Sequence, residues 1–206
     1  MFWKTVKIFT SHCYDNIGRC IGINLLWFAV SVFSLGILLP PATAALFCYT
    51  NQLVRFQDPD VRTFFRSMRR FLFRAWGLFL LEMIVFTGLG WGMFIYLTQF
   101  SQVIGQTAST ILATASFWIF AYFAVIQIYA WVFLVHQDIG VFAALKRATF
   151  LFLMKPVFTL LLFLLVLVLA GLNIPLRLVP LAFIQPIATA VLLNAGVLVA
   201  LDEYED

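Results

Sequence analysis

One carboxyl group stands alone in a long apolar stretch. Between Arg74 and Asp138 the only charged side chain is Glu82, about two helical turns into the stretch. A carboxylate in a bilayer is expensive, so it must face a bundle interior, take a proton or find a partner. Its open chemistries are proton or cation handling and a hydrogen bond between helices. Asn24, Gln127 and His136 are its candidate partners. Asn24 and Asn194 lie in similarly apolar surroundings, where an amide usually knits helices together at on the order of 1 kcal/mol per contact. Glu82, Asn24, Gln127 and Asn194 are therefore the candidate intramembrane polar site. Both roles stay open for Glu82, with the helix bridge favoured.

A second set is built on prolines. Pro40, Pro41 and Thr43 recur in kind at Pro186 and Thr189. Proline removes a backbone donor and interrupts a helix. A nearby threonine can satisfy the freed groups, or leave them facing a ligand at the break. The structural role is favoured, with the first helix expected to break at Pro40-Pro41.

Other reactive residue types are sparse. His12 and His136 are the only histidines, and neither has metalloprotease spacing. Cys13, Cys20 and Cys48 form no CxxC pair, and His12 beside Cys13 lacks the rest of a four-ligand metal set. They are expected to be ordinary free thiols. Gly88, Gly90 and Gly92 suit close helix contact rather than a phosphate loop, since no strand-turn-helix context surrounds them. The expectation is no catalytic site, no metal, no cofactor and no enzyme.

The elements that must position these residues are membrane helices. The chain is 64% hydrophobic and 11% charged, against about 25% charged in soluble domains. A spanning helix needs roughly 20 mostly apolar residues, and lipid offers its backbone no other partner. Candidate crossings are Ile21–Leu39, Pro41–Val54, Ala75–Thr98, Ser109–Val135, Val157–Leu172 and Val179–Leu201. The second is short, so five crossings is the alternative to six. The fold class is an all-α polytopic transmembrane bundle in one membrane domain, residues 1–206.

Apart from Arg177, the basic residues fall in three clusters, Lys4–Arg19, Arg55–Arg74 and Lys146–Lys155. Such juxtamembrane charge is an orientation signal facing anionic lipid, not a nucleic-acid surface. Each cluster precedes an apolar region. This predicts three units, each an interfacial helix followed by a hairpin. A cytoplasmic lead, 1–19, precedes a hairpin, 21–54. A basic interfacial helix, 58–74, precedes a second hairpin, 75–135. A weaker basic segment, 138–155, precedes a third, 157–201, and an acidic tail, 202–206, ends the chain. In the middle unit Val61, Phe64, Phe65, Met68 and Phe71 share one helical side, opposite Arg62, Arg66, Arg69, Arg70 and Arg74, which should face lipid headgroups. Asp60 is its expected N-cap, and Asp138 the expected start of the third interfacial segment. The positive-inside rule puts Arg66 and Lys146 in the cytoplasm and Ser101 outside.

At Asn24-Leu25-Leu26-Trp27, followed by Pro41-Ala42-Thr43-Ala44-Ala45-Leu46, the chain resembles the YesL family of bacterial membrane proteins. Phe64-Phe65-Arg66 through Arg70 is similar to that family's aromatic and basic third element, while Pro40 stands where the family usually has glycine. The resemblance implies a multi-pass protein of the bacterial plasma membrane with no established activity. It further implies an accessory role in carbohydrate uptake, with a sugar transporter permease as partner. The alternative from the residues themselves is a small transporter or channel, alone or as a homo-oligomer.

Overall fold

A computed structural model describes residues 1–99, 105–171, 173 and 184–201. Ser101, Arg177, the start of the last expected crossing at Val179 and the 202–206 tail lie outside the described residues. Among the described residues the chain is all helical: α1 (Phe2–Asp15), α2 (Ile17–Phe33), α3 (Leu39–Val54), α4 (Val61–Arg70), α5 (Leu72–Thr98), α6 (Gln106–His136), α7 (Val141–Met154), α8 (Pro156–Gly171) and α9 (Gln185–Ala200).

Among the described residues two helices, α5 with 27 residues and α6 with 31, are long and apolar enough to cross a membrane. The count rises to four if the bent pairs α1–α2, at 85°, and α7–α8, at 111°, are each one span. The other expected segments are short, with 16 residues each in α3 and α9, or about 24 Å of helix. Both are sheathed by other helices and form the core. Eleven residues of α3 are buried, and every residue of α9 from Ile187 to Ala200 is buried except Thr189.

The core helices α3, α6 and α9 run parallel. Phe47 of α3 stacks on Trp131 of α6, with ring centroids 6.4 Å apart, and farther along the same pair Arg55 meets His136. Asn194, midway along α9, lies against Phe47, Thr50 and Asn51 of α3. Their carbonyl ends gather at the basic face. There Lys155 donates to the Ala200 carbonyl at 2.6 Å, a cation placed where the helix dipole is negative.

Packing around this core is cyclic. The amphipathic helices α4, α7 and α1 lie on α3, α6 and α9, respectively. The helices α2, α5 and α8 pair with their hairpin partners α3, α6 and α9, and also touch α9, α3 and α6. Each group of three helices thus leans on the core helix of the group before it, and the first closes onto the last. The Phe-Leu-Phe runs at 71–73 and 150–152 fall at different points of their units. Phe71 is the C-cap of α4, whereas Phe150–Phe152 lie inside α7.

Several local expectations are corrected. The first helix breaks at Ser34–Leu38, before the prolines, where Leu35 (φ 51°) and Gly36 (φ 82°) take left-handed conformations. Pro40 and Pro41 fall in the first turn of α3, where the missing amide costs little because first-turn donors have no helical partner. Asp60 does cap α4, accepting from the Val61 amide at 2.7 Å. Its apolar side is turned onto α3 rather than lipid: Phe64, Ser67 and Phe71 are buried, and the Ser67 hydroxyl donates to Cys48 Sγ at 3.1 Å. Val61 and Phe65 stay exposed, as do Arg62, Arg66, Arg69, Arg70 and Arg74. Gly88 and Gly90 border open space, so within the described residues they support no close helix contact. Close approach occurs at Gly77 and Gly196 instead.

Asp138 does not start α7, whose N-cap is Gly140. It turns the chain at φ 51° and its carboxylate takes Arg70, at 2.6 Å, and Arg74. Partial burial raises its pKa, but the hydrogen bonds and charges of Arg70 and Arg74 outweigh that and leave it below the ordinary carboxyl range. A depressed folded-state pKa stabilises above the unfolded value, about 3.9, and the gain is lost as pH falls through the folded one. Asp138→Asn should therefore lower the unfolding midpoint slightly, by under about 1 kcal/mol for so exposed a pair. The gap should be constant above about pH 5 and close below about pH 4. Melting curves of both proteins across that range check it.

Candidate functional site

Asn24 and Asn194 are placed by helix packing and serve it. Asn24 on α2 is fully buried, and its Oδ1 accepts the Ile187 amide at 3.1 Å. Ile187 lies in the first turn of α9 beside Pro186, where backbone donors have no helical acceptor. A side chain from a different helix thus caps α9. One turn on, the Trp27 indole donates to Thr43 Oγ1 at 3.2 Å, and Thr43 donates to the Leu39 carbonyl at 2.8 Å. Thr43 thus spends its hydroxyl on Trp27 and on its own preceding turn. Thr189 plays a lesser part, receiving Gln185 Nε2 at 3.3 Å.

Asn194 is the densest polar node. Its Nδ2 lies 2.8 Å from Thr50 Oγ1, 2.9 Å from the Ala190 carbonyl and 3.2 Å from the Phe47 carbonyl. Its Oδ1 accepts from Asn51 Nδ2 at 3.0 Å. Two amide protons thus serve three acceptors, and the carbonyl is also used. Thr50 and Asn51 escaped the sequence reading; their signal was two adjacent polar residues inside a short apolar helix.

Glu82 is apart from both amides. It is 9% exposed on α5, and the indole of Trp131 on α6 lies beside its carboxyl. Gln127, also expected here, lies one helical turn before Trp131 on α6. The Oε1 atoms of Glu82 and Gln127 are buried and have no hydrogen-bond partner among the described residues. The expected four-residue cluster is therefore two sites: an α3–α9 network with Asn24 nearby, and a Glu82–Trp131 contact in the α5–α6 hairpin. Trp131 is itself buried against Phe47.

If Glu82 only bridges helices, Glu82→Gln keeps an acceptor for the indole. The variant should unfold within about 1 kcal/mol of the parent in a detergent titration. A larger loss would show that the acid itself is required.

Among the described residues no group of three or more His, Cys, Asp or Glu could hold a metal ion. Cys13 and Cys20 lie beside each other across the α1–α2 bend.

Residues 20–93 match a family model described as protein of unknown function, DUF624. The matched stretch is roughly a third of the chain. It runs from the first turn of α2 into α5, and so includes Asn24, Trp27, Thr43, the Asp60 cap and Glu82. No curated protein and no solved structure gives a significant match.

Proposed function

We propose that the protein is a multi-pass component of the bacterial plasma membrane with a non-enzymatic accessory or regulatory role, working beside carbohydrate uptake. The observation that carries this reading is the use made of the buried polar groups. Asn24, Thr43, Thr50 and Asn194 are turned onto neighbouring helices and helix ends. Between α3 and α9 the buried polar side chains bond to one another and to backbone carbonyls. Meanwhile α5 and α6 present a broad apolar surface, with Met83, Ile84, Trp91, Phe94, Ile111 and Trp118 exposed, available to lipid or to a membrane partner. The carbohydrate association rests on the resemblance at Asn24–Trp27 and Pro41–Leu46. Purification of the tagged chain from native membranes should bring down a sugar transporter permease. Robust uptake of labelled sugars or cations by the purified protein in liposomes would overturn the reading.

The second reading, a small transporter or channel, draws on the unpartnered Oε1 of Glu82. Under it Glu82→Gln folds normally but loses liposome uptake, because the amide cannot titrate. Orientation is tested separately by single-cysteine labelling in a background lacking the native thiols. Positions 66 and 146 should be shielded from an impermeant reagent in intact cells, and position 101 should react.

A further inference from the structure

A cavity of about 540 Å³ lies between α2, the end of α3 and the loop into α4. Its volume falls in the range of small-ligand sites, about 300–1,000 Å³, and its lining changes character along α2. Arg19, Asp58 and Asp60 supply charge, with Val61 beside Asp60 and the Tyr49 ring as a buried wall; Gly22, Ile23 and Leu26 line the cavity farther along α2. Arg19 and Leu26 are seven residues apart on α2, so the cavity runs about 10 Å along that helix. Its charged end belongs to the basic face, where the positive-inside rule places the cytoplasmic headgroups.

The charged end holds one guanidinium and two carboxylates. Arg19 pairs with Asp58, and both are well exposed at 52% and 78%; Asp60 is fixed by its bond to the Val61 amide. A guanidinium presents paired donors to a phosphate. Two carboxylates disfavour a purely anionic headgroup and suit a cation that can donate hydrogen bonds. The apolar slope beyond, with no side chain at Gly22, suits a hydrocarbon chain.

We infer that this cavity binds a phospholipid whose headgroup carries a phosphate and a primary ammonium, as phosphatidylethanolamine does. Arg19 takes the phosphate, Asp58 and Asp60 take the ammonium, and an acyl chain runs past Gly22, Ile23 and Leu26. No bond is made or broken. The site is independent of the accessory role proposed above.

The test is a competition read by native mass spectrometry. The full chain in detergent micelles is offered equal amounts of phosphatidylethanolamine, phosphatidylcholine and phosphatidylglycerol with identical acyl chains. Retention of phosphatidylethanolamine should exceed that of each rival by about tenfold, the scale of one charge-assisted hydrogen bond. Choline carries the charge but no N–H donor, and phosphatidylglycerol lacks the cation. Arg19→Gln and Asp58→Asn should each erase the preference, whereas Arg62→Gln, on exposed α4 outside the cavity, should leave it intact. Equal retention of the three lipids, or greater retention of phosphatidylglycerol, would overturn the inference. So would an undiminished preference in the Arg19 and Asp58 variants, or equally tight binding of soluble glycerophosphoethanolamine. Because the wild-type competition is decisive alone, a variant that fails to fold does not protect the proposal.

Discussion

Asn194→Leu should destabilise the protein by about 2–3 kcal/mol, since it removes several intramembrane hydrogen bonds worth about 0.6–1.7 kcal/mol each. Leucine has a similar length, so little of the loss comes from an empty space. It comes from Asn51, whose Nδ2 loses the Asn194 carbonyl, and from Thr50 Oγ1, which loses a donor at 2.8 Å. The position is 1% exposed, so water cannot step in. Thr50→Val provides the comparison. It removes one partner and should cost about 1 kcal/mol. Unfolding titrations in mixed detergent micelles measure both. If Asn194→Leu is no worse than Thr50→Val, Asn194 is not the node that holds α3 to α9.

Why sequence reading found Asn194 but not its partners follows from the distances involved. An amide in an apolar helix is conspicuous. Its partners on α3 lie more than 140 positions away, and no local pattern selects them. Asn24 illustrates the same limit. Its placement within a span was evident, but its capping of α9 depends on α2 and α9 touching, a consequence of the whole packing order. The pairing of Trp27 with Thr43 was nearer to hand, because the two residues sit in the two motifs that carry the family resemblance. Side chains that hydrogen-bond across a hairpin give a physical reason for such motifs to occur together.

Local chemistry fared better where a single residue decides the outcome. Asp60 caps α4 because a carboxylate after proline and before an amphipathic run has one good use. The α5–α6 hairpin was evident because its length and apolarity leave few alternatives. The break before α3 was misplaced because Pro40-Pro41 is the louder signal, while the turn is made by Leu35 and Gly36. Proline at the start of a helix is as favourable as proline inside one is disruptive, so its presence marks a boundary without saying how far back the preceding helix ended. Asp138 was misplaced as the start of the third interfacial segment for a related reason. Its partners, Arg70 and Arg74, belong to the preceding unit and are reached because α6 returns alongside α5 to end beside the start of that helix.

Gly196 provides the strongest test of the packing order, since α9, α8 and α1 converge on it. A methyl group there would lie 2.6 Å from Leu162 Cδ1 and 3.8 Å from Thr5 Cγ2. Leu162 and Thr5 are fully buried, so neither can swing into open space. Gly196→Ala should therefore cost about 1–3 kcal/mol through overpacking, although alanine is the better helix former. Leu162→Ala alone should cost about 2–5 kcal/mol through lost burial and an incompletely collapsed cavity. In the double variant the new methyl enters the space that Leu162 vacates. Its loss should be smaller than the sum of the two single losses by about 1 kcal/mol or more. Unfolding of all four proteins in the same detergent series gives this coupling directly. Strict additivity would mean that α8 does not rest on α9 at Gly196, and the cyclic closure of the last helices onto the first would lose its main support.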